Sequence, residues 1–333
     1  MKRRTFLTNT ALASSTLILP NTSIPRLPTL PNRKQDGLTF GIVTDVHHGM
    51  LPDTEARLSK FIAAAIDRDV DFIIQMGDFC HPGKKSSGFL KIWQQFNKPA
   101  YHVLGNHDMD LTSKAGIMEF WEMPSPYYTF ESDGIRFIIL DANFLYRDGT
   151  FIDYEEANFY VDNEYRTYID EEQIEWFAAE LDQSDKPIMV FSHQSLWHYQ
   201  WGVKNRLLVQ KHLERNAQKI ICCLNGHNHI DFHHHQNNID YVEVNSMSYQ
   251  WMGDKHQIKR YPQELLKDFK WLNHIAPYQD PLYAFASIDY KYNLTIEGIR
   301  SRWMPPSPSD AGFRQQVYGN QYSPAISDYK LTY

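Results

Sequence analysis

The stretch Tyr101-His-Val-Leu-Gly-Asn-His-Asp108 joins a short apolar run directly to a polar cluster of Asn, His and Asp. Short apolar runs that end at glycine or polar turn residues are typical of buried strands. In open α/β sheets, ligands bind just beyond the carboxyl ends of the strands. The cluster Gly105-Asn-His-Asp108 therefore predicts a binding or catalytic loop at the end of a strand.

The same pattern of an apolar run followed by polar residues occurs four more times along the chain. The runs are Thr39-Phe-Gly-Ile-Val43 before Asp45 and His47, Asp71-Phe-Ile-Ile-Gln-Met76 before Gly77-Asp78, Ile188-Met-Val-Phe191 before His193, and Lys219-Ile-Ile-Cys-Cys-Leu224 before Gly226-His-Asn-His229. Polar residues at the ends of neighbouring strands converge in space, so these side chains form a candidate metal site. Imidazole, carboxylate and amide ligands suit Zn, Mn or Fe better than copper or an iron–sulfur cluster.

Together, these five motifs in this order resemble those of the calcineurin-like metallophosphoesterases, from about Thr39 to about Asn245. The resemblance implies an α/β fold of the four-layer α/β/β/α sandwich type. It also implies hydrolysis of a phosphoester, either a phosphodiester or a phosphomonoester, by water or hydroxide that a dinuclear metal centre activates. Divalent or trivalent Mn, Fe or Zn ions would form that centre.

The resemblance also implies roles for individual residues. One metal would be held by Asp45, His47 and His229, the second by Asn106, His193 and His227, and Asp78 would bridge the two. His107 would not be a ligand; it would act as an acid or as an electrostatic stabiliser at the leaving group or the phosphoryl oxygen. Asp108 would orient His107, and both are therefore candidate catalytic residues.

Several other histidines depart from the family pattern or lie near it. His81 stands where the family often has Asp or Asn, and we interpret it as a contact to a metal ligand or to the substrate. His48 has the same two interpretations, with a solvated loop residue as the alternative. His233-His-His235 is typical of an exposed turn more than of a metal tract, and His102 is expected in the core or on the surface.

The motifs leave the substrate open. Tyr101-His-Val-Leu-Gly-Asn-His107 and Val190-Phe-Ser-His193 are similar to the manganese-dependent ADP-ribose/CDP-alcohol diphosphatases, so hydrolysis of a nucleotide diphosphate is one alternative. A metal-binding scaffold without turnover is another, although the presence of His107 argues against it. The expected partner is a small phosphorylated substrate.

The remaining periodicity predicts the elements between the motifs. Apolar spacing predicts helices over 54–68, 86–96, 170–181 and 204–215, a hairpin over 127–140, and late strands over 241–245, 283–288 and 294–299. Strands beyond those that carry ligands favour a second sheet. We therefore expect one catalytic domain over 36–302, with no internal repeat.

Two insertions interrupt this pattern, near 143–169 and near 249–278, and both are rich in aromatic residues. Segments of this length act as lids over a site or pack as decoration, and the sequence leaves both readings open. Beyond Arg300, the run Met304-Pro-Pro-Ser-Pro-Ser309 marks the expected end of the domain. We expect residues 303–333 to be a surface strap or a partly disordered tail.

The first 35 residues have the form of a secretion leader and a proline-rich linker. Lys2-Arg3-Arg4-Thr5-Phe6-Leu7 resembles a twin-arginine signal, which predicts an exported, periplasmic or extracellular protein. An ordinary signal or a retained membrane anchor is the alternative. No other stretch is apolar enough to span a bilayer.

Charge and cysteine content exclude further classes of protein. Without the six basic residues of the leader, 27 basic side chains face 40 acidic ones, a formal charge of −13, so nucleic acid is not expected as the main partner. Cys80, Cys222 and Cys223 are an odd number, and two of them are adjacent, which argues against a disulfide framework. Cys222 and Cys223 are expected in the core. Cys80 is expected as a small loop residue, with a thiolate ligand as the alternative.

Overall fold

The computed structural model describes residues 37–198, 200–314, 316–317 and 319–333. The predicted leader and linker over 1–35 lie outside the described residues. Nothing in the described chain is a helix long and apolar enough to cross a membrane.

Strands dominate the described chain. In the first part these are β1 (Leu38–Val43), β2 (Phe72–Gln75), β3 (Ala100–His102), β4 (Tyr128–Ser132), β5 (Ile135–Leu140), β6 (Phe144–Arg147), β7 (Thr150–Asp153), β8 (Arg166–Tyr168), β9 (Ile188–Ser192) and β10 (Ile220–Asn225). In the second part they are β11 (Phe232–Gln236), β12 (Ile239–Glu243), β13 (Tyr249–Trp251), β14 (Ile275–Pro277), β15 (Ala284–Ile288), β16 (Leu294–Gly298), β17 (Gln316–Val317), β18 (Asn320–Gln321) and β19 (Tyr329–Leu331). The helices are α1 (Thr54–Asp67), α2 (Ser87–Trp93), α3 (Lys114–Trp121), α4 (Glu171–Gln183), α5 (Arg206–Arg215) and α6 (Gln263–Asp268).

Two six-stranded sheets organise the domain. The first has the order β19-β16-β15-β1-β2-β3, and the second has the order β11-β12-β10-β9-β5-β4. Within the first sheet β1, β2 and β3 are parallel, and within the second β5, β9, β10 and β12 are parallel. The parallel strands therefore form one side of the first sheet and the middle of the second, and their carboxyl ends are the expected place for a ligand site.

The two sheets pack face to face around an aromatic core. Phe40 and Phe72 stack within the first sheet with ring centroids 4.7 Å apart, and Phe72 meets Phe137 of the second sheet edge-on at 5.3 Å. The neighbouring residue Ile73 points the other way, into a cluster with the helices over the first sheet. Because these strands are buried on both faces, their sequences are continuously apolar and do not alternate between apolar and polar residues.

Helices cover the outer face of each sheet. Helices α1, α2 and α3 pack on the first sheet, and α4 and α5 pack on the second. The order of layers is therefore helix, sheet, sheet, helix, and the predicted four-layer α/β/β/α sandwich is confirmed.

Most predicted elements are found, with changes at their ends. The helix expected over 86–96 is shorter and covers Ser87–Trp93, and the helix expected over 204–215 begins at Arg206. Helix α3 was not predicted. The carboxylate of Asp170 caps α4 by accepting a hydrogen bond from the Gln173 nitrogen at 2.9 Å. These differences fall at helix termini or in short helices, where apolar spacing carries least information.

The two insertions have secondary structure of their own. Residues 143–169 contain the three-stranded sheet β7-β6-β8, and residues 249–278 contain α6 and the two-stranded sheet of β13 and β14. Leu51, Tyr249, Leu272 and Ile275 form a small core beneath the second insertion. Both insertions are therefore packed segments and not open loops.

The C-terminal residues do more than cross the surface. Strand β19 pairs antiparallel with β16 and extends the first sheet. The Asp231 carboxylate anchors this segment, because it accepts hydrogen bonds from the Ser327 hydroxyl at 2.6 Å and the Tyr329 hydroxyl at 2.7 Å. The end of the chain thus belongs in part to the sandwich, in contrast to the expected tail.

Candidate metal centre

The predicted ligands lie in loops that directly follow parallel strands of both sheets. Asp45 and His47 follow β1, and Asp78 follows β2. His193 follows β9, and the loop with His227 and His229 follows β10. Because the two sheets are stacked, the loops of one sheet face those of the other across the end of the sandwich.

Most of these side chains stand on unusual backbone. Five of them have a positive φ: Asp45 at 50°, His47 at 49°, Asp78 at 53°, His227 at 68° and His229 at 49°. Non-glycine residues seldom adopt this left-handed conformation, and where they do, the surrounding structure must hold them there. The loops are therefore shaped to turn these side chains toward a common point at the expense of local backbone stability.

Glycines let the loops approach one another. A Cβ atom at Gly105 would overlap the backbone nitrogen and the carboxylate of Asp78, and one at Gly226 would overlap the Thr44 hydroxyl. The glycines that precede Asn106 and His227 in the sequence motifs thus have a steric reason to be there.

Two groups of potential ligands result. The nearest ligand atoms of Asp45, His47 and His229 lie within 4.8 Å of one another, and so do those of Asp78, His193 and His227. Asp78 is placed between the groups, because its Oδ2 lies 3.6 Å from His47 Nε2 in one group and 3.1 Å from His193 Nε2 in the other. These are the groupings expected for two metals with Asp78 between them.

Asn106 lies beside the second group. It is buried, lines the same cavity as Asp78, and its Oδ1 is 3.5 Å from the amide nitrogen of Gln194, the residue after His193. Asn106 thus lies at the edge of this group, and its role as a ligand of the second metal stays a prediction.

The donor set fits metal cations. Asp45 Oδ1 is buried and accepts no hydrogen bond from any described residue, while Oδ2 accepts from the Thr44 hydroxyl at 2.7 Å and the His227 nitrogen at 3.0 Å. His193 Nδ1 lies 2.7 Å from the Met76 carbonyl oxygen, and His229 Nδ1 lies 2.9 Å from that of Tyr249. These contacts fix each ring so that Nε2, the other nitrogen, faces the shared space as a lone-pair donor.

The ionisable side chains of the centre are buried, and their charges shift one another's pKa values. Burial lowers the pKa of His193, but the carboxylates of Asp78 and Asp45 outweigh that effect and raise its pKa to about 10, so a metal ion that binds Nε2 displaces a proton from it. Burial raises the pKa of Asp45, but His229 and His193 outweigh it and hold the pKa well below its usual range. Burial likewise raises the pKa of Asp78, but His193 and His107 outweigh it and hold that pKa well below its usual range, so both carboxylates are ionised and favour cations in this space.

His107 has a different partner from the one predicted. Its Nδ1 lies 2.9 Å from Oδ2 of Asp110. Asp108, which we expected to orient His107, instead accepts hydrogen bonds from four backbone nitrogens, those of Gly105, Asp78, Phe79 and Cys80, at 2.6 to 3.2 Å. The orienting role predicted for Asp108 is therefore corrected to Asp110, and Asp108 braces the loops that carry Asp78 and Asn106.

Two tyrosines that the sequence did not single out flank the site. Tyr249 packs against His47 and His229 with ring centroids 5.3 and 5.1 Å away. The Tyr160 hydroxyl, from the first insertion, is 3.4 Å from His107 Nδ1. Aromatic residues within an insertion are a weak signal on their own, and only the fold brings them to the metal ligands.

His81 and His48 line the cavity and belong to neither ligand group. His81 Nδ1 is buried and has no hydrogen-bond partner among the described residues. His48 stacks on Phe89 with centroids 4.4 Å apart, and its Nδ1 is 3.2 Å from the Ser86 hydroxyl. His81 is thus free to meet a ligand, whereas His48 is held in the wall.

The other histidines and the cysteines lie outside the ligand groups. His233 and His235 flank Asp240 on the outer strands of the second sheet. The Cys80 sulfur lies 3.5 Å from Trp121 Nε1 and belongs to neither ligand group, so a thiolate ligand at this position is not supported. Cys222 and Cys223 are fully buried in β10, as expected of core residues.

A cavity of about 960 Å³ opens over both ligand groups. His47, Asp78 and His227 line this cavity together with residues of the two insertions. Small-molecule sites range from about 300 to 1,000 Å³, so this one is large enough for a substrate well beyond a single phosphate group.

Comparison with known proteins gives a family match. A family model described as calcineurin-like phosphoesterase matches residues 38–231, which span all five motifs. A manganese-dependent ADP-ribose/CDP-alcohol diphosphatase from Oryza sativa subsp. japonica is 25% identical over 130 residues, which are 31% of this chain and 40% of that protein. The aligned region thus spans well under half of that relative.

Solved structures show the same fold at low sequence identity. A dimetal phosphatase from Danio rerio superposes with a TM-score of 0.63 and 14% identity, covering 90% of this chain and 99% of that one. GAP50, described as the anchor in the inner membrane complex of Plasmodium, superposes with a TM-score of 0.52 and 14% identity, covering 89% of each chain. At these identities the likeness extends to the fold alone.

Proposed function

The chain belongs to the calcineurin-like phosphoesterase family, and from this premise we propose that it hydrolyses phosphoester bonds with two metal ions held at the end of the sandwich. The observation that carries the proposal is the pair of adjacent ligand groups that meet at Asp78. Phosphodiesters and phosphomonoesters are both within the proposed substrate class.

The residues of the centre fall into ligands for each of the two proposed metal ions. Asp45, His47 and His229 would hold one ion, and Asn106, His193 and His227 the other, with Asp78 shared between them. A bound metal pair supplies a nucleophilic water and neutralises charge on the phosphoryl group. The buried carboxylates of Asp45 and Asp78 offset the repulsion between two cations.

His107 is placed to act on the leaving group. Because Asp110 occupies Nδ1, the other ring nitrogen is the one left to meet the substrate in the cavity. Burial lowers the pKa of His107, but Asp78 and Asp110 outweigh that effect and raise it to about 9. The Asp110 carboxylate favours the protonated ring, which would donate its proton to the leaving group as the ester bond breaks.

A nucleotide diphosphate is the second candidate substrate. The 25%-identical relative is named as a diphosphatase of ADP-ribose and CDP-alcohols, and the cavity has room for such a molecule. In that case, the same residues would cleave the phosphoanhydride and release a nucleoside monophosphate.

The experiment that tests hydrolysis combines elemental analysis with a substrate panel. Protein loaded with Mn, Fe or Zn would be assayed on p-nitrophenyl phosphate, its bis-ester, ADP-ribose and CDP-choline. Turnover that requires metal and is lost in His107→Ala at unchanged metal content supports the proposal. Two bound metals without turnover of any substrate would favour a metal-binding scaffold.

We also propose that the protein is exported, on the basis of the leader sequence alone. The support is the run Lys2-Arg3-Arg4-Thr5-Phe6-Leu7, which is typical of twin-arginine signals. Replacing Arg3 and Arg4 together by Lys in a bacterial host should retain the protein inside the cell. Export that continues unchanged would remove the twin-arginine route.

A further inference from the structure

Three exposed aromatic side chains stand at the rim of the cavity. Trp251 is 41% exposed, Trp271 40% and Tyr160 64%, and all three line the same cavity as the metal ligands. They belong to the two insertions, and none of them is a candidate metal ligand. Large aromatic rings left open to solvent beside a reactive site offer flat apolar surface to a ligand.

The two tryptophans are held in place before any ligand arrives. Trp251 stacks on His274 at 5.8 Å with the ring planes 10° apart, and Trp271 meets Trp251 edge-on at 5.8 Å. His274 Nε2 in turn lies 3.1 Å from a carboxylate oxygen of Asp254. Because the rings are already fixed, a ligand that stacks on them has less ordering entropy to overcome.

A buried polar atom in the same wall lacks a partner. Gln250 is 3% exposed and lines the cavity, and its Oε1 has no hydrogen-bond partner among the described residues. An unpaired buried amide oxygen is unfavourable until a donor reaches it. A ligand that carries an N–H or O–H group beside a flat ring would therefore satisfy the Gln250 oxygen.

The charge of the walls fits an anionic ligand. Lys270 and Arg166 both line the cavity, in a protein whose overall charge is negative. These two cations come from the insertions, as the aromatic rings do. A ring with hydrogen-bond donors that is attached to phosphate matches the aromatic surface, the amide oxygen and the positive charge together.

We infer that this rim is a specificity subsite for the nucleobase of a nucleoside phosphoester, with Trp251 and Trp271 as the stacking surface and Gln250 as the acceptor. The inference rests on the proposed hydrolysis and names its substrate class. Base stacking on aromatic side chains contributes enough to binding that its loss changes affinity by about tenfold or more.

Two esters with the same leaving group isolate the contribution of the base. The p-nitrophenyl ester of thymidine 5′-monophosphate carries a nucleoside, and p-nitrophenyl ethyl phosphate does not, and both release p-nitrophenol. With the metal-loaded full chain, we expect kcat/KM to favour the nucleoside ester by about tenfold or more. Trp251→Ala and Trp271→Ala should bring that ratio close to one, mainly through KM, and Trp251→Phe should largely restore it.

Tyr290→Ala is the matched control, because Tyr290 is an aromatic residue 54% exposed that does not line the cavity. This variant should keep the wild-type ratio. A wild-type ratio near one that the tryptophan variants leave unchanged would overturn the subsite while hydrolysis itself stands.

Calorimetric titration separates the subsite from turnover. Thymidine monophosphate should bind the metal-loaded protein about tenfold or more tighter than inorganic phosphate does, and Trp251→Ala should abolish the difference. If neither ester is hydrolysed but this difference is found, the subsite holds and the proposed hydrolysis fails. Equal binding of the two ligands overturns the subsite.

Discussion

The Nδ1 atom of His107 lies 2.9 Å from Oδ2 of Asp110, three residues further along the chain at the end of the same short helical turn. This contact fixes the imidazole ring and leaves one nitrogen for the substrate. It also adds negative charge next to the ring, which favours the protonated form. Asp110 is therefore the residue that positions the acid in the proposed reaction.

Asp110→Asn should lower kcat by about 10- to 100-fold, a part of the 10²- to 10⁴-fold that a general acid contributes. The loss should grow as the leaving group becomes poorer, because p-nitrophenolate departs with little protonation and phenolate or an alkoxide needs a proton. The measurement is kcat for p-nitrophenyl, phenyl and alkyl esters, with KM and metal content followed alongside.

The matched comparison is His107→Ala, which should show the same dependence on the leaving group with a larger loss. An Asp110→Asn protein that loses the same factor on every ester would assign Asp110 a structural role. Full activity of either variant on the alkyl ester would show that His107 and Asp110 do not supply the proton to the leaving group.

Each ligand group should account for one metal ion. His229→Ala removes a ligand from the group of Asp45 and His47 and leaves the group of His193 intact, so we expect about half of the wild-type metal content after dialysis. Elemental analysis of the purified protein measures this ratio. Activity should fall by at least about 100-fold, since both ions act on the same phosphoryl group.

His233→Ala is the control for this experiment. His233 contacts Asp240 on an outer strand and belongs to neither ligand group, so its removal should keep the full metal content. A His229→Ala protein that retains as much metal as the wild type would contradict the assignment.

Gly105→Ala tests whether the metal centre requires the close approach of the Gly105 loop to the Asp78 loop. Because an added Cβ would overlap Asp78, the variant should displace that carboxylate and lower both metal content and activity by more than about tenfold. Gly88 in α2 provides the contrast, since a Cβ there would meet only a Glu55 oxygen at 3.5 Å.

We expect Gly88→Ala to keep full activity and to raise stability by about 0.5–1 kcal/mol, because alanine is the better helix former. Thermal unfolding and metal content of the two variants would be compared side by side. A Gly105→Ala protein with wild-type metal content would show that the loop adjusts without cost.

The sequence predicted that these side chains meet in space, because each candidate ligand follows a strand-like apolar run; their roles as metal ligands stay predictions. Apolar runs such as Ile188-Met-Val-Phe191 are short, buried on both faces and end directly at a ligand, so their position along the chain implies their position in space. The grouping of Asp45 with His47 and His229 also follows the family resemblance. These parts of the fold depend on local pattern, which a sequence displays.

Other features depend on contacts that the sequence does not display. Asp108 and Asp110 are both acidic and both near His107, and only the path of the turn decides which carboxylate reaches the ring. Helix α3 contains a glycine and only eight residues, so its apolar spacing is weak, although Ser113 does cap it by accepting from the Gly116 nitrogen at 3.1 Å. Strand β19 pairs with a strand more than 30 residues earlier, a long-range contact without a local signal.

His102 gives a pH dependence of stability that is independent of the metal ligands. Its ring is buried, stacks on Trp121 at 5.0 Å, and has its Nδ1 3.1 Å from the amide nitrogen of Gln75. Burial lowers the pKa of His102 from 6.5 to about 3, so the folded protein keeps the ring neutral where the unfolded chain takes up a proton. Stability from this residue is complete above pH 6.5 and is lost as the pH falls toward 3.

His102→Phe keeps an aromatic ring in this position and removes the titration. Between pH 7 and pH 5, the free energy of unfolding should therefore fall by about 2 kcal/mol less in the variant than in the wild type, since the unfolded chain is then about 1.5 pH units below its histidine pKa. Urea unfolding of both proteins at the same metal concentration measures the difference, because effects of pH on the metal ligands are common to both and cancel. If the free energy of unfolding falls equally with pH in the two proteins, His102 is protonated in the folded state. If the wild type loses less stability than the variant, the pKa of His102 is raised in the folded state and not lowered.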